Sequence, residues 1–183
     1  MLRGEKIGLR ARHESDIPVF MDELHSDVAT RMRSDSRPWV PVPPDAKPSP
    51  YSVEDLPDSL VCFSVVELEG EELVGESLLW SLDTHNRSAH LGLSIRPRFR
   101  GRGLAADIVQ VLCRYGFTIR GLNRLQIDTL ADNEAMIAAA RSVGFTLEGT
   151  LRGGAWVAGE FVDEVILGLL ASEWQPAAEP DLS

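Results

Sequence analysis

The stretch Arg98-Phe99-Arg100-Gly101-Arg102-Gly103-Leu104-Ala105 constrains this chain more than any other. It stands between an alternating run at 90–95 and a segment in which Leu104, Ile108, Leu112 and Tyr115 recur at helical spacing. A strand, a short turn and a helix must follow one another here, and the first turn of a helix leaves backbone N–H groups unpaired that converge on an anion. Gly101 and Gly103 let a phosphate approach the main chain where a Cβ would obstruct it, and Arg98, Arg100 and Arg102 add positive charge nearby. An ordinary strand-to-helix connection with solvated arginines would read the same way, so the turn alone does not decide. Two other glycine motifs are excluded. No Gly-Lys-Ser/Thr follows, as a nucleotide P-loop requires, and the turn falls mid-chain instead of after a first strand.

A chain of 183 residues with 44% hydrophobic content can bury one sizeable core but hardly two. The net charge of -10 argues against a nucleic-acid partner, which needs a basic face to replace phosphate counterions. It suits a cationic acceptor, or simply solubility. Cys62 and Cys113 lie far apart in apolar runs without metal-ligand spacing, so buried free thiols and no metal site are expected. Neither a basic-then-apolar leader nor a run of about 18 apolar residues is present, which gives a cytoplasmic expectation with no membrane partner.

Residues 7–12 alternate as a first strand, and Glu14-Ser15-Asp16 offers cap chemistry for a helix carrying Ile17, Phe20, Met21 and Leu24 on one face. From 33 to 57 the composition shifts to Pro, Ser and Asp, which predicts a long loop, either a flap enclosing Trp39 or a disordered linker. Residues 60–67, 72–82 and 89–95 read as a meander of antiparallel strands. A helix from Gly103 that ends at Gly116 or Gly121, a strand at 125–130, a helix at 134–142 stopped by Gly144, and a hairpin of 145–151 with 161–170 complete the chain.

Arg98, Gly101 and Gly103 fit the pattern Arg/Gln-x-x-Gly-x-Gly/Ala, and further motifs follow in order. These are Ala131-Asp132-Asn133-Glu134-Ala135-Met136, then Gly144-Phe145-Thr146-Leu147-Glu148-Gly149 with Arg152, then Gly159-Glu160-Phe161-Val162-Asp163. The series resembles the GNAT superfamily of acyl-coenzyme A-dependent N-acyltransferases, in its ribosomal-protein N-terminal acetyltransferase (RimJ/RimL-like) branch. The likeness covers 1–174, strongly from Ser88 onward. It implies an α/β (α+β) GNAT fold: a central mixed, mostly antiparallel, twisted sheet of about six to seven strands, splayed at the acyl-CoA site and flanked by about four helices. One domain would span 1–174 with the Pro-rich loop 33–57 inside it, leaving a tail at 175–183.

The resemblance further implies an enzyme that moves acetyl from acetyl-CoA to a primary amine, either a protein N-terminus or a small molecule, by direct attack in a ternary complex. Its cofactor-binding positions fall here on Leu93, Ser94 and Ile95, whose main chain would pair with the pantetheine arm, and on Arg98, Arg100, Gly101, Arg102, Gly103, Leu104 and Ala105 around the diphosphate. Asn133 would contact the pantetheine, although an Asx residue equally suits a helix N-cap there. The chain departs from the family where proton transfer occurs: Met136 replaces a hydroxyl, and His90 replaces a Glu often found before Leu91.

His90 is therefore the leading candidate base, since it alternates away from Ala89, Leu91 and Leu93 and an imidazole is suited to taking a proton near neutral pH. A satisfied strand histidine is the plain alternative. Glu76 is the second candidate, with a solvated edge residue as its alternative, and Asp163 and Glu164 are poorer bases. Weak acid-base equipment favours an α-amine, more of which is neutral near pH 7 than of a lysine. Two other readings stay open: transfer of succinyl or another acyl group, with Arg33 or Arg152 meeting its carboxylate, and a non-catalytic acyl-CoA sensor. Trp39, Trp80, Trp156 and Trp174 offer either homodimer surface or core and pocket lining.

Overall fold

The computed structural model describes residues 1–34, 37–43 and 46–176; part of the Pro-rich loop and most of the expected tail lie outside the described residues. Eight strands form one sheet: β1 (Leu2–Arg3), β2 (Ile7–Arg10), β3 (Val61–Glu67), β4 (Leu73–Asp83), β5 (Ser88–Ile95), β6 (Arg124–Leu130), β7 (Thr146–Val157) and β8 (Glu160–Leu170). Their order is β1-β2-β3-β4-β5-β6-β8-β7, with every neighbouring pair antiparallel except β5 and β6. The extra strand beyond the expected number is β1, too short for a periodic signal and paired with β2 through Leu2↔Leu9 and Arg3↔Gly8.

One face of the sheet carries Ile7, Leu9, Val65, Leu79, Ala89, Leu91, Leu125, Ile127, Leu167 and Leu169, all buried in one cluster with the helix α3 (Leu104–Arg114). Helical spacing puts Leu104, Ile108 and Leu112 on the buried side, each contributing about 1.5–3 kcal/mol by leaving water. The helix widens into a single π-type turn at Tyr115–Ile119 and is followed by Gly121 at φ +63°, so the second of the two expected glycines ends it. In the first turn of α3, the Asp107 carboxylate accepts from the backbone N–H groups of Glu5, Lys6 and Ile7 at 3.0, 2.7 and 3.0 Å. This contact clamps the β1–β2 corner to the start of α3. The helix α4 (Glu134–Val143) adds Ala140 to the same cluster and stops at Gly144, φ +110°. Both cysteines are free, but only Cys113 is buried as expected, Cys62 being half-buried; burial pushes the Cys113 thiol far up and raises that of Cys62 as well.

The helix α1 (Asp16–Phe20) continues through a π-type turn at Met21–His25. Against it the loop places Tyr51, whose ring lies 5.4 Å from that of Phe20, while Trp39 donates its indole N–H to the His25 carbonyl at 3.0 Å. Both loop aromatics thus dock onto the first helical segment. A helix absent from the sequence-based expectation, α2 (Val28–Ser34), begins where Asp27 accepts from the Thr30 N–H at 3.2 Å. It buries no residue, so no apolar stripe announced it. The β7–β8 hairpin is also longer than expected, because Ala158 and Gly159, at φ +50° and +97°, turn the chain tightly and bring 155–157 into the ladder beyond an irregularity at 152–154.

Candidate active site

Between β5 and β6 the sheet comes apart. Only Ser88↔Arg124, Ala89↔Leu125 and His90↔Gln126 pair, whereas β5 stays paired with β4 as far as Ile95. The β5 edge from Leu91 to Ile95 therefore faces no strand. The Arg96 N–H donates to the Val74 carbonyl at 2.9 Å, and because amides alternate sides along a strand, the Ser94 amide also turns to β4 while those of Leu93 and Ile95 face the cleft. The main chain on offer to a ligand is thus that of Leu93 and Ile95, and of the three expected positions Ser94 is spent inside the sheet. The Ile95 carbonyl accepts from Arg100 Nε at 2.8 Å.

The turn that follows is anchored by Phe99, buried beneath the guanidinium groups of Arg96, Arg98 and Arg102 at 5.6, 4.8 and 5.4 Å from its ring centre. Gly101 and Gly103 have φ of +72° and +73°, and a Cβ built on either would meet nothing within 4 Å. Open space lies where side chains would stand. No side chain caps the first turn of α3, so its N–H groups at Leu104 and Ala105 look into that space; the Leu104 side chain is core.

The turn's arginines are not equivalent. Arg102 pairs with Glu67 at 2.6 Å, Arg98 approaches Glu72 at 3.6 Å, and Arg100 reaches Thr30 and Asp27 of the α2 region at 3.3 and 3.9 Å. Arg96, which the sequence did not single out, is buried, makes two hydrogen bonds to the Glu23 carboxylate and donates to the Leu73 carbonyl at 2.5 Å. Glu23 is held below the usual carboxylate range by these bonds. The only hint of this pair was an Arg before Pro97 at the end of a strand.

The two candidate bases have different surroundings. Glu76 accepts from Arg12 at 2.7 Å, and the pair is almost sealed from solvent, with side-chain exposures of 2% for Arg12 and 8% for Glu76. Arg12 also donates to the Tyr51 carbonyl at 3.0 Å and lies 5.0 Å from the Phe20 ring centre. Glu76 is therefore not a solvated edge residue: to take a proton as the second candidate base it would have to give up the buried guanidinium that its carboxylate engages.

His90 sits at the last paired position before the splay, on the face away from α3. Its ring lies 4.2 Å from that of Trp80, and its Nδ1 is 2.5 Å from Asp128 Oδ2 on β6. Asp128 escaped the sequence reading because only the parallel pairing of β5 with β6, which sets His90 opposite Gln126, puts position 128 two residues beyond that partner on the same face.

Asn133 takes the capping role: its Oδ1 accepts from the Met136 N–H at 3.3 Å and its Nδ2 donates to Thr129 at 2.9 Å. These bonds use one Nδ2 hydrogen and one Oδ1 lone pair, so the capping role does not preclude a ligand contact through the other hydrogen or lone pair. Met136 packs on the core.

An open strand edge runs from the uncapped helix start and its left-handed glycines to a histidine at the apex of the cleft. The model of the acetyltransferase (GNAT) domain family matches residues 6–146. The chain belongs to the GNAT acetyltransferase family. It is 31% identical over 112 residues to the uncharacterized N-acetyltransferase p20 of Bacillus licheniformis, covering 61% of this chain and 63% of that one. It is 36% identical over 103 residues to the putative ribosomal N-acetyltransferase YdaF of Bacillus subtilis, covering 56% of each. With the spermidine N(1)-acetyltransferase of Escherichia coli K12 it shares 32% identity over 97 residues, 53% of this chain and 52% of the relative. These matches span between about half and two thirds of the relatives' length. The spermidine N-acetyltransferase of Vibrio cholerae, solved with CoA and spermine, superposes with a TM-score of 0.80 over 91% of this GNAT chain and 96% of its own at 22% identity, which establishes the shared fold.

Proposed function

We propose that this GNAT protein transfers acetyl from acetyl-CoA to a primary amine, with a small cationic amine as acceptor. The observation that carries the reading is the unpaired β5 edge, which leads from the glycine turn to His90. The diphosphate fits the uncapped start of α3 and the space beside Gly101 and Gly103, with Arg98, Arg100 and Arg102 nearby. The pantetheine arm fits the free amides of Leu93 and Ile95, one of which would donate to the thioester carbonyl as negative charge develops there. Arg100 would give up the Ile95 carbonyl when the arm binds.

His90 is the proposed general base, within the open face that also carries Trp80. A weak base was the reason to favour an α-amine. A histidine supported by a carboxylate relieves that demand and admits acceptors of higher pKa. The names of relatives point the same way for spermidine, while YdaF supports the ribosomal-protein branch. Trp80 and Asp128, an aromatic face and an anion beside His90, favour a cationic amine.

Thiol release measured with acetyl-CoA and a panel of amines, spermidine, lysine and an N-terminal peptide of a ribosomal protein among them, tests the reading. Release stimulated by the polyamine above the peptide is expected. His90→Ala should lower turnover about 100-fold to 10,000-fold near neutral pH with little change in CoA affinity. Succinyl-CoA in place of acetyl-CoA separates the acyl alternatives. Tight CoA binding without release by any amine would make the protein a sensor.

A further inference from the structure

On the open face of the sheet five side chains on three strands form a hydrogen-bonded chain that ends at His90. Glu148 of β7 accepts from Arg124 NH1 at 2.7 Å, and Arg124 NH2 donates to Gln126 Oε1 at 3.1 Å. Gln126 Nε2 then donates to Asp128 Oδ1 at 2.8 Å. The direction of the Gln126 amide is forced, because a guanidinium only donates and a carboxylate only accepts. One Asp128 oxygen is thereby committed, and the other, Oδ2, is left facing His90 Nδ1 at 2.5 Å. The ring is also backed by Trp80 at 4.2 Å.

We infer that Asp128 is a positioning residue for His90: it accepts the Nδ1–H and so fixes the tautomer whose Nε2 carries the free lone pair. The inference rests on acetyl transfer with His90 as base. An ionised carboxylate selects the Nδ1–H form and, once the proton is taken, stabilises the imidazolium. Asp128 is suited to this, since burial works to raise its pKa but the bonds from His90 and Gln126 prevail and hold it below the ordinary value.

In the step itself, the amine nitrogen bonds to the acetyl carbonyl carbon and the C–S bond of the thioester breaks. The amine proton passes to His90 Nε2, and the sulfur leaves as thiolate and takes a proton from water. The charged groups around the imidazole are Asp128 and, behind it on β6, Arg124, whose own charge is matched by Glu148 of β7; β4 contributes the uncharged Trp80.

Asp128→Asn tests this in two ways that do not depend on each other. In the free protein, long-range proton–nitrogen NMR of the neutral His90 ring should show the Nδ1–H tautomer in wild type and a loss of that preference in the variant, whose amide can also donate to the ring. In the enzyme, turnover should drop about 100-fold, with the loss in kcat and not in KM and with CoA affinity kept. Asp128→Glu should restore some of the rate. An Nε2–H tautomer in wild type, or a tautomer unchanged in Asp128→Asn, overturns the role of Asp128, as does a loss of rate that lies wholly in KM. A wild type inert with every amine overturns the proposed acetyl transfer instead, and the tautomer seen by NMR then still decides whether Asp128 sets the state of His90.

Discussion

Gly75 of β4 lies so close to Ser94 of β5 that a Cβ on Gly75 would stand 2.1 Å from the Ser94 carbonyl oxygen. Gly75 is opposite Ile95 in the register, so the contact presses on the stretch of β5 whose other edge is open to the cleft. Only a residue without a side chain lets the two main chains approach this closely.

Gly75→Ala should therefore push the Leu93–Ile95 segment away from β4, destabilise the fold by about 1–3 kcal/mol as overpacking does, and weaken CoA binding from a position that touches no ligand. Denaturant unfolding and calorimetric titration with CoA measure both effects. Unaltered values in both would mean that the two strands separate freely and that the spacing does not shape the cleft.

Gly103 is held at φ +73° with open space on its Cβ side. Gly103→Val places a β-branched residue in a conformation it rarely adopts and fills the space proposed for the diphosphate. Loss of CoA affinity is expected in a variant that still shows a cooperative melt. Undiminished affinity would show that the diphosphate binds elsewhere.

The Arg12–Glu76 pair predicts an asymmetric stability pattern. Glu76→Ala leaves a buried guanidinium without its carboxylate and should cost about 3–5 kcal/mol, whereas Arg12→Met with Glu76→Leu should recover most of that loss. Chemical denaturation of the single and double variants checks it. A single variant as stable as wild type would mean that water reaches the pair.

Asp16 links stability to acid. Burial works to raise its pKa, but the bonds from Arg10 at 2.7 Å, the His13 N–H at 2.9 Å and Ser64 at 2.7 Å outweigh it and bring it down to about 2. A carboxyl group whose folded pKa is lowered stabilises the fold above its unfolded pKa of about 3.9, and this contribution is lost as pH falls through the folded value. The contribution, roughly 2 kcal/mol, should disappear between about pH 4 and pH 2 and be absent from Asp16→Asn. Unfolding free energies measured across that range for both proteins should therefore converge at the acid end. Parallel curves would assign the acid sensitivity to other carboxylates.

What the sequence determined by itself was whatever repeats locally. The alternation at 60–67, 72–82 and 89–95, the helical spacing from Leu104 to Tyr115 and the glycines at 101, 103 and 144 place strands, helices and the glycine turn to within a few residues. Helix α2 and strand β1 were illegible because neither has an apolar period: α2 buries nothing, and β1 has two residues. The tertiary structure alone decided which polar residues meet. Arg12 reaches Glu76 across 64 positions, Arg96 reaches Glu23 across 73, and Asp128 comes to His90 only because β5 and β6 pair in parallel with His90 opposite Gln126. Periodicity records which face a residue occupies, but a single polar letter carries no record of its partner, and the pairing of strands distant in sequence creates that partner.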